Sequence, residues 1–342
     1  MGTNRRTFLK TAGVAGVLAV AGFGEPAEAA EPSPKAGGAP GAMARDLTLC
    51  TLRREGGFGL GVRTSKGVLD VAAAAKGRKL LVPATTDEAV RGAGLDGLRL
   101  LIAEAEAGKK SALIPEAQVR FGPALTRPEK ILLMGLNYRK HIAEVKAPMP
   151  TSPTFFSKYT NTLNYHGGTV PLPVKVATKF DYEAELVVVV GKRMREVSAA
   201  AALDSVWGYC TGNDFTARDL QTKTSQWMLG KTPDGFAPLG PWLVGADRVG
   251  DPQNLKIECR VNGQVRQSSN TSDMIYSCAE LLAYASQHMT LEAGDILFTG
   301  TPEGVIFGKP ADQQVWLKPG DKIETEIEKT GRLDFELGSW GA

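Results

Sequence analysis

A run of four valines at residues 187–190 directly follows two glutamates in the stretch DYEAELVVVVG, residues 181–191. The valine run predicts a strand that is buried on both faces. Glu183 and Glu185 are two residues apart, which places both carboxylates on one face of that strand, about 7 Å apart along the chain. Two like charges beside a core are costly unless a cation joins them. The pattern therefore predicts either a cation site or an edge strand whose glutamates pair with lysines in solvent.

A third carboxylate is available at Asp214, in the segment TGNDFTARDLQ. Three hard oxygen ligands suit Mg²⁺, Mn²⁺ or Ca²⁺. The chain has only three histidines, which disfavours a histidine-rich zinc site. Its four cysteines show no C-x-x-C spacing, so we expect buried free thiols and neither a zinc site nor a disulfide framework.

His141 and Glu144 form an H-x-x-E pair in the segment NYRKHIAEV. If this segment is helical, a spacing of three residues puts both side chains on one face. A carboxylate hydrogen-bonded to an imidazole raises its basicity and fixes its tautomer, which suits a general base that activates water. The alternative is a surface histidine with a chance acidic neighbour.

Two lysines and one turn complete the candidates for a binding site. Lys158 in TFFSKYTNTL and Lys231 in LGKTPDGF are either buried cations that face an anionic substrate or surface residues with long apolar stems. The G-K-T around Lys231 lacks the preceding glycine of a phosphate loop, which excludes a nucleotide site of that kind. Thr301 lies in FTGTPEGV, which is either a carboxylate-binding turn or a plain turn. No G-x-S-x-G motif is present, so a serine α/β-hydrolase is not predicted.

The chain of 342 residues predicts one large or two modest domains. We expect a small N-terminal α+β domain at 45–125 and a larger domain at 128–338. Strands dominate without regular βαβ alternation, which predicts a mixed, β-rich α+β fold rather than a doubly wound sheet. GFGLG at residues 57–61 is interpreted as a hairpin turn. The segment SDMIYSCAELLAYASQHM predicts a helix with Ser272 as its N-cap.

The N-terminus has the pattern of an export signal. An arginine pair in NRRTFLK precedes an apolar run at 11–24 and an A-x-A cleavage pattern that ends at Ala29. We expect a twin-arginine signal peptide at 1–29, a disordered lead-in at 30–44 and a periplasmic or extracellular location. The alternatives are an uncleaved anchor or a misassigned start. The net charge is +3 and no long basic run occurs, so nucleic acid is not a predicted partner.

Seven segments, taken in order over residues 128–335, resemble the fumarylacetoacetate hydrolase family. They are GLNYRKHIAE, PTFFSKYTNTL, DYEAELVVVVGK, GYCTGNDFTARDLQ, GKTPDGFAPLGPWLV, NTSDMIYSCAELLAYASQHMTLEAGDILFTGTPEGV and LKPGDKIETEIEKTGRL. The resemblance implies a roll of mixed strands, usually dimeric. Residues 45–125 resemble the N-terminal extension that many members carry.

The resemblance also implies a metal and a reaction. In the family the paired glutamates and the later aspartate, here Glu183, Glu185 and Asp214, hold Mg²⁺ or Mn²⁺. The His/Glu version of the first segment resembles the acylpyruvate hydrolase branch. It implies a metal-dependent hydrolase that cleaves a C–C bond in 2,4-dioxo acids such as acylpyruvates or fumarylpyruvate. His141, oriented by Glu144, would deprotonate the attacking water.

Five further residues receive roles from the same resemblance. Lys231 would stabilise the developing oxyanion, and the residues expected to bind the substrate are Lys158, Arg218, Gln221 and Thr301. Two alternatives stay open at this point. One is a decarboxylase, isomerase or hydratase of 2-oxo or 2-hydroxydienoic acids in aromatic catabolism, and the other is a non-catalytic oxo-acid binding protein. The expected partners are a small oxo acid and a second copy of the chain, with no membrane contact beyond the export signal.

Overall fold

The computed structural model describes residues 43–109 and 112–341. The predicted signal peptide at 1–29 and almost all of the predicted lead-in at 30–44 lie outside the described residues. The strands, in chain order, are β1 (Thr48–Arg54), β2 (Gly57–Thr64), β3 (Gly67–Asp70), β4 (Leu113–Ile114), β5 (Ile131–Gly135), β6 (Thr154–Lys158), β7 (Leu163–Asn164), β8 (Gly168–Leu172), β9 (Phe180–Asp181), β10 (Ala184–Val190), β11 (Val206–Asn213), β12 (Thr216–Ala217), β13 (Ala237–Pro238), β14 (Leu243–Gly245), β15 (Lys256–Val261), β16 (Gln264–Asn270), β17 (Ile296–Phe298), β18 (Lys322–Ile327) and β19 (Gly331–Ser339).

Most of the helices are short. In chain order they are α1 (Val71–Ala75), α2 (Thr86–Val90), α3 (Leu95–Glu106), α4 (Arg139–Val145), α5 (Ala199–Ala202), α6 (Arg218–Gln221), α7 (Met228–Lys231), α8 (Ala246–Val249) and α9 (Cys278–His288). Single 3₁₀ turns occur at Glu116–Gln118, Thr160–Thr162, Leu203–Ser205, Thr271–Asp273 and Ala311–Gln313. Over the described ranges, no helix combines the length and the apolar character needed to span a bilayer.

The largest sheet has ten strands in the order β4-β3-β2-β1-β14-β11-β10-β17-β5-β6. The strand with the valine run, β10, lies inside this sheet and pairs with β11 on one side and β17 on the other, antiparallel in both cases. The pair β17–β5 is parallel, so the sheet is mixed. The predicted mixed α+β fold is confirmed, and the alternative of a solvent-facing edge strand at Glu183 and Glu185 is wrong.

Both faces of β10 are covered, which explains its unbroken apolar sequence. Leu186, Val188 and Val190 pack into one hydrophobic cluster, whereas Val187 and Val189 pack into another on the opposite face. The first cluster also contains residues of the second sheet, whose five strands have the order β16-β15-β18-β19-β8. Successive side chains of a strand point to opposite faces. A strand with apolar neighbours on both faces therefore needs a continuous apolar sequence.

The N-terminal strands continue the large sheet, because β1 pairs with β14 through Leu49 opposite Leu243. The described residues, 43–109 and 112–341, fall in one compact unit. The division into domains at 45–125 and 128–338 stays a prediction, and the hydrogen-bonded sheet itself runs across that boundary.

Two local predictions are wrong. GFGLG lies within β2, and the turn comes just before it, where Gly56 has a φ of 79°. The long C-terminal helix begins at Cys278, with Ser277 as its N-cap, whereas Ser272 lies in a 3₁₀ turn. Ser277 is the N-cap because Glu280, three residues later, forms a capping box with it.

Candidate metal centre and active site

Three buried carboxylates meet where β10 begins and β11 ends. Glu183 immediately precedes β10, Glu185 lies in it, and Asp214 immediately follows β11. These two strand ends are neighbours because β10 and β11 are antiparallel, and the amide of Asp214 donates to the carbonyl of Glu183 at 2.8 Å. One oxygen from each carboxylate lies within 4.8 Å of the other two. The predicted triad therefore forms one cluster.

Two cations contact Glu183. Lys231 Nζ lies 2.7 Å from Glu183 Oε2 and 2.5 Å from Asp214 Oδ2, and Arg218 Nη1 lies 2.7 Å from Glu183 Oε1. Burial by itself raises the pKa of Glu183, but attraction to Lys231 and Arg218 outweighs burial and holds that pKa well below its usual range. Glu183 is therefore a carboxylate anion at neutral pH.

Glu185 has much less compensation. Its Oε2 accepts a hydrogen bond from the amide of Gly300 at 2.7 Å, but within the described part of the chain no cationic side chain forms an ion pair with it. Burial, followed by repulsion from Asp214 and Glu183, raises the pKa of Glu185 well above its usual value. A buried carboxylate beside two others, without a cation of its own, is suited to a bound metal ion.

Asp214 is better compensated than Glu185. Its Oδ2 lies 2.5 Å from Lys231 Nζ, and its buried Oδ1 lies 2.7 Å from Lys158 Nζ. Lys158 Nζ also donates hydrogen bonds to the carbonyls of Phe215 and Phe236. Burial is the main cause that raises the pKa of Asp214. The uncompensated Glu185 and the all-oxygen donor set fit a hard divalent cation.

The predicted pair of His141 and Glu144 lies on α4, one turn apart. His141 Nδ1 and Glu144 Oε2 are 3.2 Å apart, and Glu144 Oε1 accepts a hydrogen bond from the amide of Gly304 at 2.9 Å. His141 is buried, which is unlike the surface histidine of the alternative interpretation. The helical spacing therefore places the carboxylate where it can orient the imidazole.

The three carboxylates and His141 line the same cavity, whose volume is about 240 Å³. Arg218, Gln221, Lys231 and Thr301 line it as well. Its remaining wall is largely apolar and is formed by Met134, Val145, Phe156, Trp227 and Phe307. The charged side chains of the lining thus form one cluster through their mutual contacts.

The residues predicted to bind the substrate are placed in different ways. Arg218 Nη1 donates to Gln221 Oε1 at 3.1 Å, and Thr301 Oγ1 accepts from Gln267 at 2.8 Å. Lys158 is not among the residues that line the cavity, because it lies behind Asp214, where burial lowers its pKa to about 8. The structure therefore places Lys158 as a support for Asp214.

The sequence reasoning missed Asp181. This residue is fully buried, and its carboxylate accepts hydrogen bonds from Arg218 Nε at 2.9 Å and from the amides of Tyr182, Ile306 and Phe307 at 2.9–3.0 Å. It holds the guanidinium that in turn contacts Glu183. No local pattern signals this role, since Ile306 and Phe307 come from a segment more than one hundred residues away.

Most of the chain matches one known protein family. The model described as fumarylacetoacetate (FAA) hydrolase C-terminal matches residues 130–337. The chain belongs to the fumarylacetoacetate hydrolase family. It is an enzyme of that family, a hydrolase or a related lyase or isomerase, so the alternative of a non-catalytic binding protein is set aside.

Proteins similar to this member of the fumarylacetoacetate hydrolase family are named after different reactions. "Oxaloacetate tautomerase Fahd2a, mitochondrial" from Rattus norvegicus is 44% identical over 221 residues, which are 64% of this chain and 69% of the relative. "Oxaloacetate tautomerase YisK" from Bacillus subtilis is 43% identical over 225 residues, 65% of this chain and 74% of the relative. The structure of maleylpyruvate hydrolase from Sphingobium sp. SYK-6 with manganese(II) and pyruvate has a TM-score of 0.69 at 30% identity, and the match covers 86% of this chain and 99% of that one.

The predicted periplasmic or extracellular location is wrong. The rat, bovine and human relatives, at 43–45% identity, are named as mitochondrial proteins, and none of these names denotes an exported one. The arginine pair and apolar run on which the prediction depended lie outside the described residues.

Proposed function

We propose that this enzyme binds Mg²⁺ or Mn²⁺ at Glu183, Glu185 and Asp214 and catalyses the keto–enol isomerisation of a small 2-oxo acid such as oxaloacetate. The observation that carries the proposal is the shared cavity, in which His141 lies together with a carboxylate triad whose Glu185 has no ion pair among the described residues. The identity of 44% to a protein named as an oxaloacetate tautomerase supports this reaction above the others.

The chain's own residues account for the proton transfer. A divalent ion bound at the triad would act as a Lewis acid on the 2-oxo group of the substrate. His141, oriented by Glu144, removes a proton from C3, and one proton is added to the 2-oxo oxygen, so the atoms balance without a co-reactant. Lys231 and Arg218 offset part of the negative charge that the three carboxylates would otherwise present to an anionic substrate.

Hydrolysis of an acylpyruvate, as predicted from the sequence, is the second candidate. The pair His141–Glu144, with its 3.2 Å contact, is suited to deprotonating water as well as carbon. The structural similarity to maleylpyruvate hydrolase with manganese(II) and pyruvate supports this branch. The products would be pyruvate, or a substituted pyruvate, and a carboxylic acid. Decarboxylation of the same acids uses the same cavity and remains the third outcome of the assay.

One assay separates these reactions. The chain would be incubated with oxaloacetate enol, with acetylpyruvate and with maleylpyruvate, each in Mg²⁺, in Mn²⁺ and in EDTA, and the loss of enol absorbance and the release of CO₂ would be followed. Metal-dependent conversion of oxaloacetate enol without CO₂ supports the isomerase. Conversion of an acylpyruvate alone supports the hydrolase, and CO₂ release supports the decarboxylase. Activity on none of them, with metal bound, would overturn the proposal.

The matched variants are His141→Gln and His288→Gln. His141 lines the cavity, whereas His288 lies exposed at the end of α9 against Tyr284. We expect His141→Gln to lower kcat by about 100-fold or more and His288→Gln to leave it unchanged. Equal activity in both variants would exclude His141 as the base.

We also propose that the enzyme is a homodimer, as the family resemblance implies. Light scattering behind a sizing column gives the mass directly. A particle of about twice the chain mass of 36.4 kDa supports the proposal, and a particle of 36.4 kDa contradicts it.

A further inference from the structure

We propose that the segment 304–308 positions the base pair His141–Glu144 and that Gly308 is its positioning residue, because only a residue without a side chain leaves room for the Glu144 carboxylate. This inference rests on the proposed role of His141 as the catalytic base. Neither the motif reasoning nor the family match assigns a role to Gly308.

The first observation is the close approach of Glu144 to Gly308. A Cβ at position 308 would lie 2.4 Å from Glu144 Cδ and 2.6 Å from Glu144 Oε2. Oε2 is the same oxygen that faces His141 Nδ1 at 3.2 Å. A methyl group at this position would therefore occupy the space of the atom that orients the imidazole.

The second observation is that the other end of the segment holds the other oxygen of the same carboxylate. The amide of Gly304 donates to Glu144 Oε1 at 2.9 Å, while the carbonyl of Gly304 accepts a hydrogen bond from Tyr182 Oη at 2.8 Å. The same five residues therefore bind one oxygen of Glu144 through Gly304 and leave room for the other at Gly308. With its carboxylate held in this way, Glu144 can present only one oxygen to His141.

The segment is itself held in place from its middle. The amides of Ile306 and Phe307 donate to the two oxygens of Asp181 at 2.9 and 3.0 Å, and Asp181 binds Arg218. This turn therefore contacts two carboxylates. One is Glu144 on α4, and the other is Asp181, which binds Arg218 of the cavity lining. Asp181 is fully buried, so its hydrogen bonds to the amides of Ile306 and Phe307 hold the turn in place beside Glu144.

Gly308 permits a clean test, whereas Gly304 does not. At Gly304 the φ is 102°, and a Cβ would lie 2.1 Å from the carbonyl oxygen of Arg266, so a substitution there strains the backbone. Gly308 does not have a left-handed φ, and the atoms that its Cβ would meet are the end of a flexible side chain. The effect of Gly308→Ala should therefore fall on Glu144 and leave the fold intact.

The experiment compares Gly308→Ala with Gly57→Ala in the full chain. A Cβ at Gly57 meets nothing within 4 Å, and its φ is not left-handed, which makes it the matched control. We expect Gly308→Ala to lower kcat by about 100-fold, at the lower end of what general-base catalysis contributes, while Tm and the affinity for Mn²⁺ stay unchanged. The control should keep wild-type kcat. Wild-type kcat in Gly308→Ala would overturn the proposal.

Two further variants test whether Gly308 acts through Glu144. In a Glu144→Ala background the colliding atoms are gone, so Gly308→Ala should cause no further loss of kcat. In a Glu144→Asp background the carboxylate is shorter by one methylene, and we expect Gly308→Ala to cost less than about 10-fold. A full 100-fold loss in both backgrounds would overturn the positioning role.

A measurement without turnover separates this inference from the proposed function. Nitrogen NMR of the His141 ring reports its tautomer, which Glu144 should fix with the proton on Nδ1. A change of tautomer in Gly308→Ala, but not in Gly57→Ala, supports the positioning role even if every tested substrate is inert. An unchanged His141 spectrum in Gly308→Ala would contradict it, whatever the assays show.

Discussion

Asp181 and Glu185 lie four residues apart in one segment, and both are buried, with exposed fractions of 0% and 1%. Their surroundings differ completely. Asp181 accepts hydrogen bonds from three amides and from one guanidinium nitrogen. Glu185 accepts one, from Gly300, and lies beside two other carboxylates.

The difference separates a carboxylate that stabilises the fold from one that is suited to a ligand. A buried charge is tolerable when its lone pairs are satisfied, as at Asp181. At Glu185 the lone pairs are not all satisfied, and burial raises its pKa, so this is a position where a bound cation would restore stability. Burial alone did not distinguish the two residues, but their hydrogen-bond partners do.

The largest expected effect is on stability at Asp181. Asp181→Asn directs an amide group toward donors that need an acceptor, so we expect the free energy of unfolding to fall by about 3–5 kcal/mol. Urea denaturation measures this loss. The control is Asp247→Asn, because the Asp247 carboxylate is 59% exposed and pairs with Arg45 at the surface, where the loss should stay below about 1 kcal/mol. Equal losses in the two variants would contradict the structural role of Asp181.

The second effect is on metal affinity at Glu185. Glu185→Gln keeps the shape of the side chain but removes its charge, so we expect the affinity for Mn²⁺ to fall by more than about 100-fold, or about 2.7 kcal/mol, together with metal-dependent activity. Isothermal titration calorimetry measures the affinity. Because the substitution relieves repulsion among three buried carboxylates, the metal-free variant should be at least as stable as wild type. Unchanged Mn²⁺ binding would show that Glu185 is not a ligand.

The third effect is the stabilisation that the metal itself produces. At a free Mn²⁺ concentration of ten times Kd, we expect wild type to gain about 1.4 kcal/mol in unfolding free energy over the same protein in EDTA. Thermal or urea unfolding with and without Mn²⁺ gives this difference. The gain should vanish in Glu185→Gln at the same concentration, and a gain that persists there would place the metal elsewhere.

The smallest expected effect is on the pH dependence of stability and concerns His166. This side chain is half-buried, and burial disfavours its charged form as it does that of Glu185, although the charge is positive. Burial lowers its pKa, and its Nδ1 accepts a hydrogen bond from the amide of Asp334. Because the unfolded chain binds this proton more readily, stability should fall as the pH drops through the unfolded value of about 6.5 toward the lower folded pKa. His166→Asn keeps an acceptor near the same position and should reduce the slope of unfolding free energy against pH in that window. An unchanged slope would assign the acid sensitivity to other groups.

The sequence predicted the elements whose geometry is local. The valine run and the E-x-E spacing predicted that Glu183 and Glu185 lie together at a buried strand, where Glu185 lies in β10 and Glu183 just before it, and the H-x-x-E spacing brought His141 to Glu144. Both predictions hold because the repeat of a strand or a helix fixes the distance between side chains two or three residues apart. The N-cap of α9 shows the limit, since two serines competed and only the spacing to Glu280 favours Ser277.

Tertiary structure alone decided the partners that come from distant segments. Lys158 lies behind Asp214 rather than at the cavity wall, Asp181 supports Arg218, and Gly308 lies against Glu144. Each of these contacts joins residues that are tens to more than one hundred positions apart in the sequence. Whether such residues meet depends on the order of the strands in the sheet and on the paths of the connecting loops. The sequence by itself therefore determined which candidate ligand and base types this protein has. Which of its buried charges have partners within the protein, and which do not, was decided only by the packing of chain segments whose separation no local repeat constrains.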